Sequence, residues 1–199
     1  MTLLAVVRHG PTEWNAIGRV QGRTDVPLSP AGMEEVRRWV LPAEVEGFSW
    51  ISSPLVRTVE TARILRGGDV TRDARLIEMD WADWEGATLT ALRAELGDLM
   101  RAWEARGLDF CAPGGESPRD VQARIGPFLS EVAGRGEATV AVTHKGVIRA
   151  LYALATGWDM TGKPPDKLHD SALHLFRLAA DGTPATQRLN IRLTDQDPP

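Results

Sequence analysis

The feature that most constrains this chain is a recurring order. A short aliphatic run is followed by a polar or glycine-bearing step and then by a helical pattern. Leu3–Val7, Phe48–Ile51 and Ala138–Val142 are short and rich in aliphatic residues, and are predicted as buried strands. A shorter strand is expected around Val70–Ala74. Leu173–Leu178 and Thr186–Leu193 flank Asp181-Gly182 and read as a hairpin or paired edge strands. Ser29-Pro30, Ser53-Pro54 and Ser117-Pro118 each offer a capping oxygen, then a residue with no N–H to leave unpaired. The helices they open carry apolar faces: Met33, Val36 and Val40; Leu55, Val59, Ala62 and Leu65; Val121, Ile125, Phe128 and Val132. A fourth helix is predicted over Thr88–Ala105, with Leu89, Leu92, Leu96, Leu99 and Trp103, and a fifth over Lys145–Ala155. Such alternation implies an α/β sandwich with a mainly parallel sheet.

Bulk properties narrow the class. The 199 residues suit a single domain, 1–199, and 43% hydrophobic with 25% charged residues is ordinary for a soluble protein. No apolar run approaches the roughly 18 residues that span a bilayer. The apolar N-terminus lacks preceding basic residues and reads as a strand, not a signal peptide, so the cytoplasmic compartment is expected. One cysteine, Cys111, excludes an intrachain disulfide and a thiolate cluster. A net charge of −4 does not favour nucleic acid, yet a small anionic substrate needs only a few local cations. Asp159–Asp170, with Pro164-Pro165, reads as a surface loop, and Thr194–Pro199 as a polar, fraying tail. Oligomeric state is not legible.

Ligands of parallel sheets bind beyond the carboxyl ends of the strands. Arg8-His9-Gly10, the segment from Ser52-Ser53-Pro54 to Arg57, and Thr143-His144-Lys145 all fall there, and should meet on one rim. A neutral imidazole can attack phosphorus near pH 7 without a separate base. The transferring group spreads charge over three oxygens, which arginine forks and helix N-terminal N–H groups suit. A leaving alkoxide needs a proton from a nearby acid, and Glu78, Asp80, Asp83 and Glu85 all qualify by position. Neither an HxH pair nor an HExxH helix is present, so His169 and His174 do not read as metal ligands. Gly114-Gly115 reads as a turn, since no Lys-Ser/Thr follows. Trp14, Trp81 and Trp84 flank these segments and could border a cavity.

Five ordered segments resemble the histidine phosphatase superfamily, also called phosphoglycerate mutase-like. They are RHGPTEWNAIGRVQGRTDVPLSPAG, SSPLVRTVETA, LIEMDWADWEG, PGGES and VAVTHKGVIRAL. The resemblance implies a three-layer α/β/α fold. It implies His9 as the residue that becomes phosphohistidine, Glu78 as proton donor, and Arg8, Arg57 and His144 as phosphate clamps. Asn15 matches a position contacting the phosphoryl group, and Gln21 and Gly22 match the substrate mouth. No metal or organic cofactor is implied, and the partner is a small phosphorylated metabolite. Three residues depart from the family pattern. Pro11 stands where a polar residue is common, and Ala82 where glycine is usual. Lys145 follows the second histidine where glycine is common, and its side chain either adds a cation to the rim or points to solvent. If Ala82 must take a positive φ, its strain is about 1 kcal/mol. The activity implied is phosphomonoester hydrolysis. A cofactor-dependent phosphoglycerate mutase is the alternative, although family mutases tend to insert a basic segment where this acid loop runs straight to Thr88. A non-catalytic phosphate-binding protein of the same fold is the third reading.

Overall fold

A computed structural model describes residues 1–193; the predicted fraying of the tail, 194–199, lies outside the described residues. Six strands form one sheet: β1 (Thr2–Arg8), β2 (Ser49–Ser52), β3 (Thr71–Arg72), β4 (Thr139–Thr143), β5 (Ala172–Leu178) and β6 (Pro184–Arg192). Their order is β3-β2-β4-β1-β5-β6. The first four are parallel, while β5 runs antiparallel to β1 and β6 antiparallel to β5, giving the hairpin its Asp-Gly turn suggests.

Side chains alternate across the strands, so β1 feeds two cores. Leu4 and Val6 pack with Ile125 and Phe128 of α6 (Pro118–Arg135) and Ile148 and Leu151 of α7 (Lys145–Thr156). Ala5 and Val7 pack on the other face with Val36 of α2 (Pro30–Arg37), Trp39, and Ile64 and Leu65 of α3 (Val56–Arg66). Helices therefore cover both faces, which is the expected three-layer arrangement. No helix among the described residues is long and apolar enough to cross a membrane.

A short helix, α1 (Glu13–Ala16), follows β1. Three helix expectations need correction. The Ser29 helix ends at Arg37, so Val40 lies beyond it and is exposed. Ser53 is not an N-cap: α3 starts at Val56 with Leu55 in the cap position and no side-chain cap. Its hydroxyl is engaged elsewhere, as described below. The helix predicted over Thr88–Ala105 is two helices, α4 (Leu89–Leu96) and α5 (Asp98–Glu104). Gly97, at φ 50° and ψ −119°, breaks it. The break resets the buried face, so Met100 is inside and Leu99 is exposed. Leu92 and Met100 join Val20, Trp84 and Ala112 in a third, smaller cluster, apart from the two cores against the sheet.

Candidate active site

Register in the parallel half decides where the site forms. Arg8 pairs with Thr143 and Ser52 with Val142, so β1, β2 and β4 end level with one another. The next residues stay in step: His9 N–H donates to the Thr143 carbonyl at 3.0 Å, and Ser53 N–H to that of Val142 at 2.9 Å. The His9 and His144 rings lie 5.3 Å apart. His9 Nδ1 is held by the Gly10 carbonyl at 2.7 Å, leaving Nε2 as the ring atom available to a substrate. Gly10 N–H donates in turn to Thr61 Oγ1.

Arg57 and His144 are fully buried behind His9. Two Arg57 nitrogens donate to main-chain carbonyls, of Gly22 at 2.7 Å and Thr24 at 3.0 Å. His144 Nε2 lies 2.7 Å from Ser53 Oγ. Five buried side-chain polar atoms among the described residues have no partner. Four belong to the predicted site: Arg8 Nε, Gln21 Nε2, Arg57 Nε and His144 Nδ1. An unpaired buried polar group costs about 1–3 kcal/mol, so such a cluster is poised for a ligand rich in acceptors. Burial, then Arg8 and Arg57, hold His9 well below the ordinary imidazole range. Burial, then Arg57, do the same for His144. Both shifts favour the neutral imidazole. Burial lowers the Arg57 guanidinium to about 10, against the pull of Glu78, Asp25 and Glu85.

Geometry separates the four acids. Glu78 is buried and lines a cavity of about 580 Å³ that also reaches His9. Its carboxylate accepts from Met79 N–H at 2.8 Å and Gly146 N–H at 3.2 Å. Burial nevertheless pushes its pKa up. A Cβ on Gly146 would stand 2.4 Å from Glu78 Oε1, so only glycine permits this approach. Asp80 pairs with Arg23 at 3.0 Å and accepts from Ala82 N–H. Glu85 accepts from the N–H groups of Arg23 and Thr24. Asp83 is exposed.

The loop is fixed from outside. Arg124 donates to the carbonyls of Arg75 and Ile77, and Thr143 Oγ1 to that of Leu76. Asp80 exchanges hydrogen bonds with Glu116 of the PGGES turn. The segment is a turn, as expected, and it also clamps the acid loop, which the sequence did not signal. Ala82 takes φ 42°, the strained conformation anticipated for a residue standing at a glycine position.

The cavity mouth carries Asn15, Gln21 and Lys145. Gln21 Oε1 accepts from Thr12 at 3.2 Å and lies 3.5 Å from Asn15 Nδ2, which turns its amide nitrogen free. Lys145 is half-exposed and pairs with Asp170 at 3.2 Å. Gly22 is set back from the cavity. A Cβ there would meet Glu85 Oε1 at 2.2 Å, and its carbonyl holds Arg57. Trp81 lines the cavity, Trp84 is buried in the small cluster, and Trp14 packs against Gly86 and Arg19. His174 accepts from Asn190 N–H inside the hairpin. No group of three or more His, Cys, Asp and Glu among the described residues is placed to hold a metal.

The chain matches the histidine phosphatase superfamily (branch 1) over residues 4–192. It belongs to that superfamily. It is 34% identical to a 2,3-bisphosphoglycerate-dependent phosphoglycerate mutase of Azorhizobium caulinodans, over 94% of this chain and 97% of that one. It is 33% identical to phosphoserine phosphatase 1 of Hydrogenobacter thermophilus, over 81% and 79%. The structure of a mycobacterial glucosyl-3-phosphoglycerate phosphatase complexed with VO3 superposes with a TM-score of 0.79. It shares 27% identity and covers 98% of this chain and 100% of that one.

Several residues of this histidine phosphatase superfamily site escaped the sequence reading. Ser53 looked like a cap because Ser-Pro is a cap signal, yet its hydroxyl serves His144. Asp170 pairs with Arg8 at 2.6 Å from a loop 162 positions away, and nothing local signals it. Arg93, Glu104, Phe110 and Arg149 line the outer cavity. Gly146 could have been singled out, as a glycine directly after a charged first helical residue.

Proposed function

We propose that this protein hydrolyses phosphomonoesters through a phosphohistidine on His9. The observation that carries the reading is the pairing of a neutral His9, Nε2 open, with a buried Glu78 of raised pKa in one cavity. His9 Nε2 attacks phosphorus and the ester P–O bond breaks. Protonated Glu78 gives its proton to the departing alkoxide. Water then attacks the phosphohistidine, Glu78 takes the water proton, and inorganic phosphate leaves. Arg8, Arg57 and His144 supply the unmet donors for the phosphoryl oxygens, and Asn15, Gln21 and Lys145 border the substrate. Gly22 acts by holding Arg57.

The test is phosphate release from a broad ester panel by wild type and His9→Ala. Loss of at least about 10⁴-fold is expected in the variant. Equal, background-level release by both would favour a non-catalytic phosphate-binding protein.

The identity to 2,3-bisphosphoglycerate-dependent mutases favours a second reading, transfer of the same phosphoryl group to another hydroxyl. The Azorhizobium caulinodans mutase aligns over 97% of its own length, so the direct passage of the acid loop into α4 at Leu89 does not separate the two readings, and the reaction products must. Efficient interconversion of phosphoglycerates primed by 2,3-bisphosphoglycerate, without phosphate release, would replace hydrolysis by mutase activity.

A further inference from the structure

Five arginines among the described residues are at least partly shielded from solvent: Arg8, Arg57, Arg75, Arg124 and Arg149. Three pair with carboxylates. Arg75 meets Asp73 and Glu131, Arg124 meets Glu116, and Arg8 meets Asp170. The other two do not. Arg57 donates to main-chain carbonyls in the phosphoryl site. Arg149 has no ion pair or hydrogen bond among the described residues; its guanidinium lies over the Trp158 ring, 5.1 Å from the centroid. Burial lowers its pKa, and no neighbouring carboxylate opposes the shift. A half-buried guanidinium stacked on an aromatic ring, with no carboxylate beside it, keeps its donors open to an anionic ligand.

Its position says which ligand. Arg149 lies four residues after Lys145 on α7, so both side chains leave the same helix face, about 6 Å apart along the axis. Both line the cavity that reaches His9, and both line a smaller one of about 270 Å³ beside it. Asp170 occupies Arg8 and Lys145, and leaves Arg149 unmatched. We propose that Arg149, assisted by Lys145, forms a second anion-recognition site, so that the substrate carries a carboxylate or phosphate besides the phosphoryl group met by His9. The identity of the first anion rests on the hydrolase reading above.

Binding separates the two ideas, because it needs no turnover. Calorimetry would compare 3-phosphonopropionate, propane-1,3-bisphosphonate and propylphosphonate. Wild type is expected to bind at least one bis-anion about ten- to a hundredfold more tightly than propylphosphonate. The better of the two tells carboxylate from phosphate. In Arg149→Gln that ratio should collapse towards one, with folding checked by circular dichroism. Lys145→Gln, at a half-exposed side chain, should narrow it partially and stands in should the first variant misfold. Equal wild-type affinity for all three ligands, or a ratio retained in folded Arg149→Gln, would overturn the proposal. Preference for bis-anions in a protein that releases no phosphate from the matching esters would sink the hydrolase reading and leave this site standing.

Discussion

The inner end of the cavity and its outer wall are built differently. At the inner end, His9, Arg57, Glu78 and His144 sit on or just past strand ends and loops held by main-chain hydrogen bonds. At the outer wall, Arg93, Met100 and Glu104 come from α4 and α5, whose register depends on the break at Gly97. A strand end places its next residue within narrow limits, so chemistry there tolerates little change. A helix pair on a small separate cluster can be re-registered without disturbing the sheet. On the proposed reading, reaction type and substrate choice are therefore assigned to regions of different rigidity.

The largest separation between the two ends should come from Glu78→Gln. It removes the proton while keeping the shape, and kcat on an alkyl phosphoester is expected to fall about 10²- to 10⁴-fold. The sign of the pH effect follows from the raised pKa. The donor must be protonated, so wild-type kcat/KM declines as pH rises through the Glu78 pKa, and Glu78→Gln should lack that decline. A wild-type profile without it would argue that another group supplies the proton.

Gly146→Ala should cost about 10²-fold in kcat, because a Cβ at 2.4 Å from Oε1 forces the carboxylate aside. An unchanged kcat would mean that the approach of α7 to Glu78 is not needed. At the other end, Arg93→Gln breaks a half-exposed pair with Glu104. A change of no more than about fivefold, mainly in KM, is expected from steady-state kinetics. A loss of kcat as large as that of Gly146→Ala would erase the distinction between the two ends. The smallest effect concerns the loop joining them. Ala82→Gly relieves a φ of 42° and should raise unfolding stability by about 1 kcal/mol in denaturant titration. A loss of stability would show that the alanine methyl packs usefully.

The same contrast explains what was legible from the residues alone. Strand-end positions were, since a run such as Leu3–Val7 followed by Arg-His-Gly declares both strand and exit. Composition left four acids equivalent, and the family pattern singled out Glu78 before the cavity did. Ser53 was misread because its capping role and its bond to His144 compete for one hydroxyl, and only tertiary structure shows which partner wins. The continuous helix over Thr88–Ala105 failed because leucine spacing outweighed one glycine on paper, whereas Gly97 adopts a conformation that ends a helix. Asp170 and Arg149 were invisible for a further reason: their roles arise from partners, or the want of them, across the fold.

The central claim is that His9 carries the phosphoryl group. The most direct measurement is rapid acid-free quenching after mixing with a phosphorus-labelled ester, then peptide mapping. Label that is acid-labile, base-stable and confined to the peptide containing His9, and absent from His9→Ala, is the expected result. Label on His144, or turnover with no labelled histidine at any time point, would contradict it.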